Sequence, residues 1–290
     1  YKEPWDWVRK SLDSINSQTF KDFELILVVD NPNYQYVDLL RKYLQKKFNK
    51  YHLIINKKNL GLVKSLNLAF SRSNGNFIAR MDSDDICRVK RIELQMQYLI
   101  ENGLDFVASD IDLMDSKQNP ISYPHIRTNI QGKRLAKIES NLNVFWHPTW
   151  LMKRAVMSEV GGYRNIPSAE DYDFVIRAIL KGYSLGILAK PLVIKRLNPG
   201  SISESDNYRQ VVYAETLRNN FKKHNIINLD DLPKINLKSK QTYAIIKNSF
   251  DNRNVKKINT FRLIWQLIFR SEGRMLLKTI LVAKYQMKTI

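Results

Sequence analysis

The chain is poor in cysteine, and its histidines are few and scattered. Cys87 is the only cysteine among 290 residues, so no disulfide forms within this sequence, and the composition suits a reducing compartment. Its place beside an acidic loop, with no adjacent histidine, predicts a small packing residue. The four histidines, His52, His125, His147 and His224, lack the spacing of a zinc site.

Glycine-rich phosphate loops and long apolar runs are missing as well. No Gly-x4-Gly-Lys-Ser/Thr motif occurs, which argues against a P-loop nucleotidase. A dehydrogenase would need Gly-x-Gly-x-x-Gly after its first strand, and none is present, although a segment ahead of Tyr1 could hold one. No run approaches the 18 or so apolar residues of a membrane-spanning helix.

Negative charge is in short supply, with 28 Asp and Glu against 47 Lys and Arg and a formal net charge of +19. Such an excess calls for an anionic partner or surface. The chain has no zinc finger, no arginine-glycine repeat and no RRM-like aromatic motif, so we expect no nucleic-acid binding. Residues 211–290 carry 16 Lys and Arg against 5 Asp and Glu, so much of the excess lies at the C-terminal end.

Three of the scarce acids nevertheless stand together, in Arg80-Met81-Asp82-Ser83-Asp84-Asp85. The apolar run 76–79 precedes them and reads as a short buried strand. Carboxylates crowded at the end of a strand repel one another unless a cation neutralises them. Hard oxygen ligands on such a loop suit Mg²⁺ or Mn²⁺. An acidic turn that merely caps the following helix is the alternative.

Strands and helices alternate along the first two thirds of the chain. Asp30 ends the apolar run 23–29, a glycine turn opens the helical pattern of 59–67, and Glu170 and Asp171 begin another helix. Polar residues gathered at strand ends predict an α/β protein whose ligand binds at the carboxyl edge of an open sheet. The predicted helices are 6–17, 35–48, 62–72, 88–101 and 169–181, and the predicted strands are 23–29, 52–55, 76–80, 104–109, 184–188 and 192–196.

Together these segments resemble family 2 glycosyltransferases of the bacterial polysaccharide-building kind. The resemblance is carried by residues 11–25, 59–67 and 79–85, then by Gly161-Gly162-Tyr163 and 170–173. It implies a GT-A fold, a Rossmann-like and mostly parallel open sheet flanked by helices. We predict a catalytic domain over 1–205 and a basic helical extension over 206–290.

Two departures from the family pattern stand out. The family begins with a hydrophobic strand, whereas this sequence begins at Tyr1, inside the loop that follows that strand, so we expect a strand ahead of it. Where the family has two acids, Val29-Asp30-Asn31-Pro32 retains only Asp30.

The resemblance implies a role for most of the polar residues named above. Asp84 is the expected ligand of Mn²⁺ or Mg²⁺, Asp82 faces the metal or the donor ribose, and Asp85 supports the loop. Asp30, Arg80 and Lys64 are expected at the donor nucleotide, with a salt bridge to Asp82 or Asp85 as the alternative role of Arg80.

A base must take the proton of the attacking acceptor hydroxyl in an inverting enzyme. The resemblance assigns this role to Asp171, with Glu170 as a donor-sugar or acceptor ligand. The structural alternative is that Glu170 and Asp171 have no catalytic role and only interact favourably with the dipole at the helix N-terminus. Trp146 and His147 are candidates for the acceptor pocket, with plain packing as their alternative. Many relatives carry a late histidine that helps to hold the metal, and residues 195–201 contain none. The alternatives for this contact are Asn198, a Lys or Arg that binds phosphate directly, or no residue at all.

The resemblance implies transfer of a sugar, with UDP-sugars as the commonest donors, to a saccharide acceptor, which we expect to be lipid-linked. The alternatives are a non-catalytic sugar-nucleotide-binding or scaffold subunit, and a protein glycosyltransferase. Residues 255–290 combine short apolar faces with basic margins, as helices lying on an anionic membrane do. We therefore predict a cytoplasmic enzyme held peripherally at the inner face of the membrane. The alternative is a helical pair packed on the catalytic domain or on a second subunit of a homo-oligomer.

Overall fold

The computed structural model describes residues 2–198, 207–251, 272 and 274–277. Its helices are α1 Trp5–Asn16, α2 Val37–Lys47, α3 Leu62–Ser71, α4 Arg91–Glu101, α5 Gly132–Glu139, α6 Arg154–Val160, α7 Glu170–Leu180, α8 Asn207–Phe221 and α9 Leu237–Asp251. Its strands are β1 Leu25–Val29, β2 Tyr51–Ile55, β3 Phe77–Ala79, β4 Ile86–Cys87, β5 Phe106–Met114, β6 Pro120–Ile121, β7 Ile130–Gln131, β8 Leu151–Lys153 and β9 Leu185–Arg196. The five helices predicted between residues 6 and 181 are present within a few residues of their expected ends, whereas most of the helical segment predicted for 255–290 lies outside the described residues.

The strands form a two-stranded sheet and a seven-stranded sheet. β1 pairs with β2 in parallel, and the larger sheet has the order β3-β8-β5-β9-β4, with β6 beside β5 and β7 beside β9. An α/β fold with flanking helices was expected and is present. The expectation of a mostly parallel sheet was wrong for the described residues, where only β1–β2 and β5–β9 are parallel. The strand β8, which follows the less regular region before residue 150, lies between β3 and β5 and is antiparallel to both.

One long strand replaces two that the sequence predicted. Apart from residue 184, the segments 184–188 and 192–196 belong to the single strand β9, and its register against β5 shifts between Leu188 and Pro191. The gap between the two predicted strands is therefore a bulge, which accommodates Pro191 because a proline lacks the N–H that the ladder needs.

The two sheets do not join within the described residues. β1 pairs only with β2, and β3 pairs only with β8. A cavity of about 830 Å³ lies between them, lined by residues 23–27 along β1 and residues 76–79 along β3.

The core lies between the large sheet and α6–α7. Trp150, Phe106 and Phe174 are fully buried, with ring centroids 4.9–5.9 Å apart. On the side away from this core, α7 packs against Leu217 and Phe221 of α8. The first helix of the predicted extension therefore packs on the catalytic domain, while the predicted boundary at 205/206 lies outside the described residues.

Candidate active site

The acidic loop lies between β3 and β4, at the edge where β4 joins the large sheet. Asp82, Asp84 and Asp85 each place a carboxylate oxygen within 4.8 Å of the others. Asp85 is almost fully buried: its Oδ1 accepts a hydrogen bond from the Arg196 N–H at 2.8 Å, whereas its Oδ2 has no partner.

The crowding of these acids raises the pKa values of two of them. Desolvation, followed by the charge of Asp82, raises the pKa of Asp84 to about 6 and that of Asp85 to about 7. A cation bound among the three carboxylates would offset their mutual repulsion and would give Asp85 Oδ2 a partner. An all-oxygen set of this kind fits Mg²⁺ or Mn²⁺.

Arg80 forms the salt bridge that sequence analysis left as its alternative role. Its Nη1 donates to Asp82 Oδ2 at 2.8 Å, and its Nη2 donates to Asp82 Oδ1. The charge of the same guanidinium partly opposes the rise in the pKa of Glu170 and of Asp171 that desolvation causes. The charge of Arg80 therefore acts both on the acidic loop and on the first turn of α7.

Glu170 and Asp171 begin α7 beside this arginine. Desolvation and the neighbouring Asp171 raise the pKa of Glu170 to about 7, and desolvation raises that of Asp171. Asn143 Nδ2 lies 3.4 Å from Asp171 Oδ2, so the carboxylate is oriented by a neutral donor and keeps its capacity to accept a proton. Asp173 is different: it is buried against Arg164 and Arg177 and serves as a structural ion pair.

The loop that carries Asn143 is held by a buried glutamate at the end of α5. Glu139 Oε1 accepts a hydrogen bond from the Val144 N–H at 3.0 Å, and Glu139 Oε2 is buried without a partner. Desolvation raises its pKa to about 8. Sequence reasoning missed both residues. Neither belongs to a motif, and a lone glutamate on an amphipathic helix reads as a surface residue.

Asp30 lies at the carboxyl end of β1 and organises the turn before α3. Its Oδ1 accepts from Asn56 Nδ2 and from the Leu60 N–H, both at 2.7 Å, and its Oδ2 accepts from the Gly61 N–H at 2.8 Å. Gly61 has φ +86°, which only glycine adopts without strain. Although desolvation opposes them, these donors and the Ser65 side chain lower the pKa of Asp30. The predicted nucleotide role of Asp30 stays a prediction. Lys64 is exposed on the first turn of α3.

The two acceptor-pocket candidates have different surroundings. His147 is buried, its Nε2 lies 2.8 Å from the Tyr163 hydroxyl, and its ring contacts Trp150. Burial holds its pKa well below the usual range, so His147 is a core residue and the packing alternative applies. Trp146 is half-buried and makes an edge-to-face contact with Tyr123, with ring centroids 6.0 Å apart. It remains a candidate for stacking on a sugar.

The amide side chain of Asn67 connects two of the sequence motifs, the segment 59–67 and Gly161-Gly162-Tyr163. Asn67 Oδ1 accepts from the Tyr163 N–H, and Asn67 Nδ2 donates to the Tyr163 carbonyl, both at 2.9 Å. A Cβ on Gly162, whose φ is +69°, would lie 2.7 Å from Asn67 Oδ1. The glycine at position 162 thus lets α3 pack against the segment that leads to Glu170 and Asp171.

Cys87 is a packing residue, as expected. It is buried, and its Sγ lies 3.3 Å from Ser14 Oγ and 3.2 Å from Gln18 Nε2. Gln18 also donates to the Arg88 carbonyl at 2.8 Å, which fixes α1 against the strand that follows the acidic loop.

An α/β sheet with a loop of three acids at its edge, together with two further carboxylates whose pKa values are raised, fits a nucleotide-sugar glycosyltransferase. The profile of glycosyl transferase family 2 matches residues 1–161. The chain belongs to this family.

Known relatives agree with this assignment. An uncharacterized glycosyltransferase of Methanocaldococcus jannaschii is 31% identical over 218 residues, which cover 75% of this chain and 73% of that protein. The UDP-Gal:alpha-D-GlcNAc-diphosphoundecaprenol beta-1,3-galactosyltransferase of Escherichia coli is 24% identical over 261 residues, covering 87% and 90% respectively. Other relatives are named for O-antigen and amylovoran biosynthesis.

The fold also matches a solved structure. Residues 1–349 of TarS from S. aureus, in complex with UDP-GlcNAc, superpose with a TM-score of 0.61 at 17% identity. The match covers 96% of this chain and 76% of that one. The GT-A fold predicted from the sequence is thereby confirmed.

Proposed function

We propose that the protein is a divalent-cation-dependent, inverting glycosyltransferase that moves a sugar from a nucleoside-diphosphate donor to a saccharide hydroxyl. The observation that carries the proposal is that Arg80 pairs with Asp82 of the acidic loop and that its charge also acts on Asp171. This shared cation supports a donor site and a proposed base that lie near each other, as the transfer of a sugar requires.

The reaction follows from this arrangement. An acceptor hydroxyl attacks the anomeric carbon of the donor, while the bond from that carbon to the diphosphate breaks on the opposite face and its electron pair leaves with the diphosphate. Asp171 accepts the hydroxyl proton, and Asn143 keeps its carboxylate in place. Glu170, beside it, accepts hydrogen bonds from sugar hydroxyls. A cation held by Asp84, with Asp82 and Asp85, supplies charge neutralisation at the diphosphate.

For the donor we propose a UDP-sugar, supported by the UDP-GlcNAc bound to the structural relative. For the acceptor we propose a saccharide on a lipid diphosphate, supported by the acceptor named for the E. coli galactosyltransferase. Polysaccharide assembly is then the process served.

The predicted membrane contact remains part of the proposal. Most of residues 255–290 lies outside the described residues. None of the helices in the described part is long and apolar enough to cross a membrane. We propose peripheral binding at the cytoplasmic face through the basic residues of this segment, each worth about 1 kcal/mol near an anionic surface. Sedimentation with phosphatidylglycerol vesicles tests it: binding should weaken as salt rises and disappear on truncation after Asn254, and equal binding of both chains at every salt concentration would refute it.

A thermal-shift screen of UDP-, GDP- and dTDP-sugars, with and without Mn²⁺, tests the function. A ligand at a hundred times its dissociation constant adds about 2.7 kcal/mol of stability. We expect a shift with one class of nucleotide that depends on Mn²⁺, followed by transfer to a lipid-linked saccharide. Binding without transfer to any saccharide or protein acceptor would favour the non-catalytic subunit, and no shift with any nucleotide would refute the proposal.

A further inference from the structure

The positive charge of the chain is concentrated in two segments, and only one of them is its C-terminal end. Residues 39–81 contain ten Lys and Arg and no Asp or Glu. Together with residues 211–290 they account for the whole positive excess, because the rest of the chain holds nearly equal numbers of acids and bases. Nine of the ten cations of 39–81 are exposed, and Arg80 is the buried one. The catalytic domain therefore carries a cationic surface of its own.

The outer side of α2 presents a regular part of this surface. Leu40 and Leu44 are buried and turn the inner side of the helix to the core that α1, β1 and β2 share. Lys42 and Lys46 are exposed one turn apart on the opposite side. Leu39 precedes them by three and seven residues, so it lies on the same side, and it is 48% exposed. We call Leu39, Lys42 and Lys46 the α2 face.

The protein itself does not neutralise the lysines of the α2 face. Within the described part of the chain, neither Lys42 nor Lys46 has a carboxylate at ion-pair distance or a side-chain hydrogen bond. Two like charges four residues apart repel and destabilise a helix. The helix dipole favours Lys46 in the last turn, but it gives no reason for Lys42 in the middle or for an exposed Leu39. A partner outside the chain accounts for all three residues.

We propose that the α2 face rests on an anionic membrane and forms a second membrane contact of the protein. This inference rests on the proposed function, in which the acceptor is lipid-linked and the C-terminal segment binds the same membrane. One membrane-binding signal gives only marginal, reversible attachment, whereas two together hold a protein stably. The C-terminal segment supplies one signal and the α2 face the other, so the loss of either releases the protein.

The make-up of the α2 face favours lipid over other anionic partners. Lysines are attracted to an anionic lipid surface, and a leucine between them gains free energy by entering the boundary of the acyl chains. Proteins that bind single-stranded nucleic acid add aromatic side chains on which the bases stack, and the α2 face has none. A second copy of this chain carries the same net charge of +19 and is repelled.

Sedimentation of the full chain with phosphatidylglycerol vesicles at physiological salt tests the inference. Lys42→Glu combined with Lys46→Glu should weaken binding by at least about tenfold, since two attractive charges become repulsive. Lys133→Glu combined with Lys137→Glu is the matched control, because these exposed lysines also lie four residues apart on a helix, α5. If the reversed α2 pair lowers the melting temperature, Lys42→Gln with Lys46→Gln tests the same positions with a smaller change. Equal vesicle binding by the α2 pair and the α5 pair would overturn the inference.

A second measurement identifies the partner. Leu39→Ala should weaken binding to the vesicles by about threefold and leave binding to poly(U) RNA unchanged, because a leucine side chain contributes only where there is an acyl chain to enter. Binding of the wild type to poly(U) as tight as to vesicles, and lost to the same extent in the Lys42 and Lys46 variant, would make the α2 face a nucleic-acid contact and overturn the inference.

The same samples keep this inference separate from the proposed function. The thermal shift with a nucleotide-sugar and Mn²⁺ is measured without vesicles, and the α2 variants should retain it. Absence of that shift in the wild type refutes the proposed function, whatever the vesicles show. Unchanged vesicle binding by the α2 variants refutes the α2 contact, whatever the nucleotides show.

Discussion

Arg80 and Asp82 form a two-pronged ion pair inside the acidic loop, with Nη1 of the arginine 2.8 Å from Oδ2 of the aspartate. Both oxygens of Asp82 thus accept from one guanidinium. The charge of Asp82 is largely compensated, so Asp84 and Asp85 carry the charge that attracts a cation. Among the described residues, Asp82 is thus the acid of this loop that has an ion-pair partner, whereas Asp84 and Asp85 have none.

Arg80→Ala should destabilise the fold by about 2–3 kcal/mol, because it leaves a partly buried carboxylate without its partner. Chemical denaturation measures the loss, and a double-mutant cycle with Asp82→Asn isolates the coupling. Arg88→Ala is the control: its pair with Asp112 is more exposed and should contribute less than about 1 kcal/mol. Equal losses from the two arginines would contradict this account.

Asp84→Asn should abolish the binding of Mn²⁺ while the fold stays intact, because an acid with a pKa raised by its neighbours contributes little to stability. Titration of the protein with Mn²⁺ alone, followed by thermal melting, measures both effects. Asp38→Asn removes the same charge from an exposed position on α2 and should leave Mn²⁺ affinity unchanged. Wild-type affinity in the Asp84 variant would refute the assignment of the ligand.

Asp171→Asn should reduce the transfer rate by 10²- to 10⁴-fold, the usual loss for a general base. Nucleotide affinity should stay nearly constant, since Asp171 contacts the acceptor proton and not the diphosphate. Single-turnover transfer and nucleotide titration measure the two quantities separately. If the variant transfers sugar at the wild-type rate, the assignment of Asp171 is wrong and Glu170 becomes the candidate base. Asp173 is not a candidate, because it forms ion pairs with two arginines.

Glu139→Gln should change the pH dependence of stability. Burial raises the pKa of Glu139 from 4.5 to about 8, so the folded protein favours the neutral acid. The wild type therefore loses stability as pH rises from about 4.5 to about 8, by about 3 kcal/mol at pH 7. The glutamine variant, which has no proton to lose, should melt near the wild type at pH 4.5 and increasingly above it towards pH 8.

Glu101→Gln is the matched control for that measurement. Glu101 also ends a helix, α4, but it is exposed. Its substitution should leave the difference in melting temperature constant across the same pH range. A constant difference for Glu139→Gln as well would show that the buried carboxyl titrates normally.

The sequence predicted the helices and the site loops because their signals are local. Asp82, Asp84 and Asp85 are adjacent in the chain, and Gly61 marks the turn that opens α3. Antiparallel insertion of β8 was not predictable, because strand direction depends on pairing between segments some seventy residues apart. Asn143 was missed for a related reason. It donates to Asp171, a motif residue that only the fold brings near.

His147 illustrates the opposite error. Its polar ring beside Trp146 resembled a binding pair in the sequence. The 3₁₀ turn at His147–Thr149 instead directs the ring inward to Tyr163 and leaves the tryptophan half-exposed. Adjacent residues in a tight turn point in different directions, and periodicity alone does not say which one faces the solvent.

The contact between Asn67 and Gly162 bears on how variants of this enzyme can be assembled. The two positions are 95 residues apart in the chain, yet a side chain at one would collide with the amide at the other. A chimera that exchanged the acceptor half of the protein with that of a relative would inherit one partner from each parent. Such exchanges should keep positions 67 and 162 together as a matched set, whichever sugar the recombinant is meant to transfer.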